Sequence, residues 1–251
     1  MSLETEIQRI IEEKFAELNR PDLIRKPIVA FSSAHDPKFA QLMEIFGPWH
    51  QLPQDFLPEA ETVISYFIPF TKEVAHGPKN EPDGCLVWSE AYVLINQHFH
   101  VVNQAVQDYL ESQGYKAAQI KPPRAYDPET FRAPWSHRSA AVIANLATLG
   151  VNNLAITEKG SGGRFCSVIT SAKLEPNREP PRKQCPYPVN GSCGLCIKAC
   201  PAGALTGGGT NKAACQEELN KNPERLKMLN AKYIADICGK CLSVCPLVYI
   251  E

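Results

Sequence analysis

The feature that most limits what this chain can become is a nine-residue phrase written twice. CGLCIKACP runs over 193–201 and CGKCLSVCP over 238–246, so that Cys, Gly, Cys, Cys and Pro recur in register. The chain has ten cysteines; Cys85 and Cys166 stand alone, while Cys185, Cys193, Cys196, Cys200, Cys215, Cys238, Cys241 and Cys245 fall in the last 67 residues. Disulfides suit small secreted scaffolds, and the N-terminus MSLETEIQRIIEEKFAEL mixes charges with its apolar residues, unlike a signal peptide. Zinc ribbons space their C-x2-C pairs by about 15–20 residues. Here 41 residues separate Cys196 from Cys238, and tetrahedral zinc has no use for the third Cys and the Pro.

Iron–sulfur chemistry accounts for more of the pattern. A 4Fe–4S cubane takes four thiolates, and the bacterial ferredoxin run ends in C-x2-C-x3-C-P, its last Cys ligating the other cluster of a pair. Each phrase here supplies three cysteines, and Cys185 and Cys215 fill the two vacancies. The crossing rule predicts one cluster on Cys185, Cys193, Cys196 and Cys245, and a second on Cys215, Cys238, Cys241 and Cys200. From residue 181 onward nine Lys or Arg face five Asp or Glu. Two oxidised cubanes with their thiolates, at roughly −2 each, would offset that excess, although solubility alone also explains the lysines.

The rest of the composition sets bounds. A chain of 251 residues holds one large domain, or a medium and a small one. Apolar residues at 44% and charged residues at 21% are ordinary for a soluble globular protein, and a net charge of −1 argues against a surface built mainly for nucleic acid. The longest apolar runs, such as VISYFIPF at 63–70, are too short to span a membrane, and the chain reads as cytoplasmic.

Periodicity predicts helices over 3–18, 37–45 and 88–112, and strands at 27–31 and 62–70, the last apolar on both faces. KAAQI reads as a strand leading into a Pro-rich connection. Ser136 reads as the N-cap of a helix running to Gly150, and NLAIT and FCSVIT read as a β-hairpin around EKGSGG. Pro and polar residues from about 174 mark a junction, giving an expected domain of 1–176 and a second of 177–251.

WSHRSAAVIANLATLGVNNLAITEKGSGGRFCSVIT (135–170), followed by the two-cluster cysteine module, resembles the epoxyqueuosine reductase-like iron–sulfur proteins, over roughly residues 135–246. The resemblance implies an α+β fold: a nitroreductase-like mixed domain followed by a small ferredoxin-like domain. It also implies a cobalamin in the first domain, fed by the clusters and acting on a tRNA nucleoside. Ser136, Arg138 and Asn152 are then candidates for the cofactor site, and His137 and Arg138 for catalysis. The family's acidic proton donor falls at Phe131 here, with Asp127 near but out of register, and its turn Lys falls at Val151. These departures, with no helical-repeat extension after Glu251, weigh against tRNA as the substrate.

Other candidates read as structural. His98 and His100, two apart on a helix, point to different faces. His50 is a lone loop residue, Cys85 and Cys166 suit small buried positions, and GSGGR and GGG read as turns because neither has a phosphate-loop ending. Two functions compete: a reductase whose clusters feed a corrinoid, flavin or substrate in the first domain, or an electron carrier docking to a redox partner protein. Some 180 residues beyond the cluster module favour the enzyme.

Overall fold

The strand that sequence marks as apolar on both faces lies at the centre of the molecule. The computed structural model describes residues 2–81, 85–120, 127, 129–131 and 133–251. In chain order the first half runs α1 (Leu3–Ala16), β1 (Ile28–Ser33), α2 (Pro37–Phe46), α3 (Pro53–Phe56), β2 (Thr62–Pro69), α4 (Lys72–Asn80), α5 (Leu86–Ser112) and β3 (Ala117–Gln119). There follow α6 (His137–Ile143), β4 (Thr148–Leu149), β5 (Ala155–Ile156) and β6 (Gly163–Thr170). The cysteine-rich part contributes α7 (Tyr187–Asn190), α8 (Leu195–Lys198), β7 (Leu205–Thr206), β8 (Gly209–Thr210), α9 (Lys212–Leu219), α10 (Asn222–Met228) and α11 (Lys240–Ser243).

Four strands form an antiparallel sheet in the order β1-β2-β6-β3, with every residue of β2 buried. Alternation sorts the side chains onto two faces. Ile64, Tyr66, Ile68, Cys166 and Val168 meet α1 and α5, whose Ile7, Ile11, Phe15, Ile95, Phe99, Val102 and Val106 form their buried stripes. Val63 and Ile169 meet Phe39 of α2 and Ile143 of α6 on the other face. Burying each such aliphatic or aromatic side chain contributes about 1.5–3 kcal/mol, so these two helical layers hold the sheet in place. The α+β class is as the sequence implied.

Two local expectations are corrected. The helix from Ser136 stops at Ile143 because Asn145 turns left-handed (φ 56°), and Leu146 N–H returns to Ala141 O at 2.9 Å. Gly150 sits instead in the turn between β4 and β5. The hairpin is also different: β5 pairs with β4, while β6 crosses to pair with β2 and β3. Both faces of β6 are apolar, and only the sheet centre can cover them. The Pro-rich connection expected after β3 lies largely outside the described residues.

The chain end closes onto this sheet. Ser161 and Gly162 N–H donate to Leu247 and Val248 O at 2.9 and 2.8 Å. A Cβ on Gly160 or Gly162 would stand 2.5 or 2.9 Å from Val248 O, so the glycines of GSGG admit the C-terminal segment. Val248 is fully buried in the main core beside Ile237 and Leu242. Arg25 fastens the same segment, donating to Phe70 O (3.0 Å), Ile250 O (2.7 Å) and Lys159 O (2.6 Å) with its guanidinium 4.3 Å from the Tyr249 ring centroid. Removing three charge-assisted hydrogen bonds at once should be costly. Arg25→Ala is expected to lower the unfolding free energy by about 2–4 kcal/mol in urea denaturation, and Arg25→Lys to recover only part of it.

Candidate metal centres and the hollow beside them

Each cysteine phrase folds the same way. Gly194 and Gly239 take left-handed conformations (φ 73° and 74°), and a four-residue helix follows each, α8 carrying Cys196 and α11 carrying Cys241. Cys200 and Cys245 lie two residues beyond those helices. All ten cysteines are free thiols; Cys193 is exposed, Cys196 buried, and the other six of the C-terminal eight intermediate.

The thiols fall into two neighbourhoods. Burial pushes Cys245 up to about 11, opposed by the Leu247 amide and reinforced by Cys196, Cys185 and Cys193. Cys245 therefore sits with the first phrase, not its own. Burial raises Cys215 too, helped by Cys200 and Glu218, and raises Cys238 with a smaller contribution from Cys215. Cys241 goes up to about 12, through burial and then Cys238, Cys215, Cys196 and Cys200. The structure thus brings together Cys185, Cys193, Cys196 and Cys245, and beside them Cys200, Cys215, Cys238 and Cys241.

Such crowding has a chemical consequence. Thiols that raise one another cannot ionise together unless cations share the space, and iron supplies that charge when thiolates bind. Among the described residues no three ligand side chains close on one point that a single ion could fill. A cubane spreads its four thiolates over four irons, so its ligands need not meet at a point. Backbone amides already serve the sulfurs: Ala204 N–H donates to Cys200 Sγ (3.3 Å) and Leu247 N–H to Cys245 Sγ (3.4 Å). Bonds of this kind tune cluster potentials.

A hollow lies where this module meets α6. Ser136 is spent as a cap, its Oγ accepting from Ser139 N (3.1 Å) and Ser139 Oγ (2.9 Å). His137 Nδ1 lies 2.6 Å from Ser167 Oγ, which also accepts from Trp135 Nε1 at 3.1 Å. Burial, then the charge of Arg164, push His137 down to about 4, so its imidazole is neutral at ordinary pH. Arg138 Nη1 donates to Asn153 O at 2.6 Å, and Asn153 Nδ2 reaches Thr210 Oγ1 of β8 at 3.0 Å. The Arg138 side chain is open to solvent, yet its charge is desolvated by surrounding protein, opposed by Arg164 and favoured by Cys241. Asn153, which holds Arg138, lines an open cavity. This cavity, of about 400 Å³, is bounded by Gly150, Val151, Asn153, Tyr187, Pro188 and Gly207–Gly209.

Sequence reasoning chose some of these residues and missed others. Asn152 turns its Oδ1 to Leu154 N (3.2 Å) and shapes the turn, while Asn153 faces the cavity. Phe131 is left-handed (φ 53°), and its carbonyl accepts from Lys212 Nζ at 3.3 Å. Asp127 Oδ1 accepts the amides of Glu129 and Thr130, a turn-forming role. Ser167, the one hydroxyl inside FCSV, was the available signal for the His137 partner. Cys85 and Cys166 are buried with thiols raised by burial, as inert packing groups would be. His98 bonds Lys14 O at 2.6 Å, away from His100.

Residues 190–248 match the 4Fe-4S double cluster binding domain. The epoxyqueuosine reductase of Listeria monocytogenes serovar 1/2a is 34% identical over 116 residues, covering 43% of this chain and 28% of that protein. A solved epoxyqueuosine reductase bound to an epoxyqueuosine-modified tRNA stem loop superposes on 98% of this chain and 66% of its own, with a TM-score of 0.55 and 18% identity. A catabolic reductive dehalogenase in complex with 3-bromo-4-hydroxybenzoic acid covers 88% of this chain and 30% of its own, with a TM-score of 0.59 and 14% identity. The class is therefore a two-cluster 4Fe–4S protein with the fold shared by these two kinds of reductase. Within it, the chain is similar to the epoxyqueuosine reductases, spanning under a third of the curated relative and about two thirds of the solved one. The expectation that weighed against tRNA gains no support here. Among the described residues no helix is long and apolar enough to cross a membrane.

Two outcomes follow from this geometry. Cys200→Ala is expected to abolish the electron paramagnetic resonance signal of the cluster shared with Cys238, and to spare the one shared with Cys193. His137, ordinarily near 6.5 and about 4 when folded, binds its proton later in the native state than in the unfolded chain. Stability should therefore rise between about pH 4 and pH 6.5, and His137→Asn should flatten that rise in thermal unfolding.

Proposed function

We propose that the protein is an iron–sulfur oxidoreductase that passes electrons singly from two 4Fe–4S clusters to a cofactor or substrate in the hollow beside Arg138. The observation that carries this reading is that Cys241, crowded by Cys238, Cys215 and Cys200, also acts on Arg138, whose hydrogen-bond partner Asn153 lines the cavity. The first cluster takes Cys185, Cys193, Cys196 and Cys245, and the second Cys200, Cys215, Cys238 and Cys241. The clusters supply one-electron storage across a wide range of potentials.

The chain's own residues do the rest. Cys200 and Cys245 tie each phrase to the other's cluster, which links folding of the module to metal loading. The Ala204 and Leu247 amides stabilise charge on sulfur. Asn153 holds Arg138 so that its guanidinium faces the hollow and favours an anionic or electron-rich occupant. Ser167 holds the His137 ring through Nδ1, and the imidazole, neutral at ordinary pH, keeps Nε2 as a neutral hydrogen-bonding group.

A corrinoid is implied by the resemblance; the cavity of about 400 Å³ would take only part of so large a group, with open space beside Gly209, where a Cβ would meet nothing within 4 Å. When bound it would supply a metal centre able to take up electrons one at a time and act on an electrophilic substrate. A tRNA nucleoside stays among the substrates of this reading, because the reductase solved with a tRNA stem loop shares its fold with nearly all of this chain.

Anaerobic reconstitution tests the proposal. About eight irons and eight sulfides per chain are expected, with cobalamin retained on gel filtration. Arg138→Ala should weaken cobalamin binding by about tenfold or more while leaving the iron content unchanged. Full iron with neither corrinoid nor flavin retained would favour a pure electron carrier.

A further inference from the structure

The two thiol groups differ in their access to solvent, and so does the charge around them. Cys241 is only partly exposed, and its charge reaches Arg138. Cys193 is the one exposed cysteine of the ten, and exposed apolar side chains flank it: Val189 is 76% and Leu195 43% exposed. Along the chain, no carboxylate occurs between Glu179 and Glu217. Arg182, Lys183 and Lys198 lie in that interval, within three residues of Cys185 or Cys196, and all three are exposed. Among the described residues none of the three makes an ion pair. The region of the second thiol group is different: Glu218 pairs with Lys221 and Arg225, and Glu224 with Lys227. Around the first group, positive charge therefore stands with no carboxylate in the same stretch of chain, whereas around the second group carboxylates offset part of it, with Lys232 and Lys240 outside any ion pair among the described residues.

We propose that this face, Val189, Cys193 and Leu195 ringed by Arg182, Lys183 and Lys198, is the docking surface for an acidic one-electron carrier protein, the electron donor. The inference rests on the two-cluster reading above and deepens it by naming where electrons enter. Tunnelling falls steeply with separation, so entry belongs where a cluster edge meets solvent. Transient electron-transfer contacts are small, with an apolar centre and a charged rim that steers encounter. A positive rim selects a negative partner. At each encounter the reduced carrier loses one electron and the oxidised cluster held by Cys193 gains it; no atom or proton changes hands. The second cluster, held in part by Cys241, would then pass the electron on towards Arg138.

The test uses the full chain, reconstituted and first shown to hold its irons, so that a failure of the two-cluster reading is seen before docking is measured. Reduced flavodoxin, an acidic flavoprotein carrier, is mixed with wild type and with the Arg182→Glu/Lys183→Glu/Lys198→Glu variant, and cluster bleaching is followed by stopped flow. Dithionite, a small reductant that needs no docking, serves as the control. The expected result is a bimolecular rate for wild type that falls with added salt, and a variant slower by about tenfold or more with flavodoxin but equal with dithionite. Val189→Ser should slow the reaction without changing its salt dependence. Equal flavodoxin rates for wild type and the charge-reversed variant would overturn the proposal. It would also be overturned if the variant lost affinity for an RNA stem loop, or lost self-association in sedimentation, while its flavodoxin rate stayed unchanged.

Discussion

Everything in the C-terminal part depends on eight thiols being forced into two small volumes. That part has few buried apolar side chains of its own, Leu205 and Leu226 among them, while Ile237, Leu242 and Val248 are borrowed by the main core. Sulfur therefore takes the place that aliphatic carbon holds in the sheet domain. Crowded thiols resist ionisation, so the arrangement is stable as a set of ligands and unfavourable as a set of bare charges. In the proposed assignment Cys200 and Cys245 are exchanged between phrases, so neither phrase would complete its cluster without the other.

The sheet domain positions this module by means that have nothing to do with metal. Glycines at 160 and 162 clear a path for the chain end, and Arg25 spans three carbonyls and the Tyr249 ring to hold it there. Cys245 lies just before the docked segment, so the sheet fixes one ligand of the first thiol group directly. On the other side, the Arg138–Asn153–Thr210 chain of contacts joins α6 to β8. Ser167 of the sheet meets His137 of α6. The contacts at Thr210 and at the chain end are two places where the cysteine-rich part is tied to the sheet domain.

Much of this was legible in the sequence, for reasons that can be named. The cysteine pattern is a chemical demand with a fixed ligand count, so a two-cluster module could be expected from spacing, and the double cluster domain match bears that out. The stripes of α1 and α5 and the buried run of β2 follow from periodicity, because each lies against one large surface. What escaped depended on contacts between distant segments. GSGG carries no mark that its glycines receive residue 248. Nothing in FCSVIT announces that Ser167 will meet His137, although a hydroxyl in mid-run among apolar residues was a hint. Asn145 was a readable helix stop overlooked in favour of Gly150, and the β5–β6 hairpin failed because adjacency in sequence was allowed to outweigh two-faced burial.

The most direct test of the account is an anaerobic crystal structure with anomalous maps at the iron edge. The account predicts two groups of four irons, with Cys245 Sγ bonded to the cube held by Cys185, Cys193 and Cys196, and Cys200 Sγ bonded to the other. Maps in which each phrase keeps all three of its own sulfurs on one cube, or in which the sulfurs grip single ions, would contradict it.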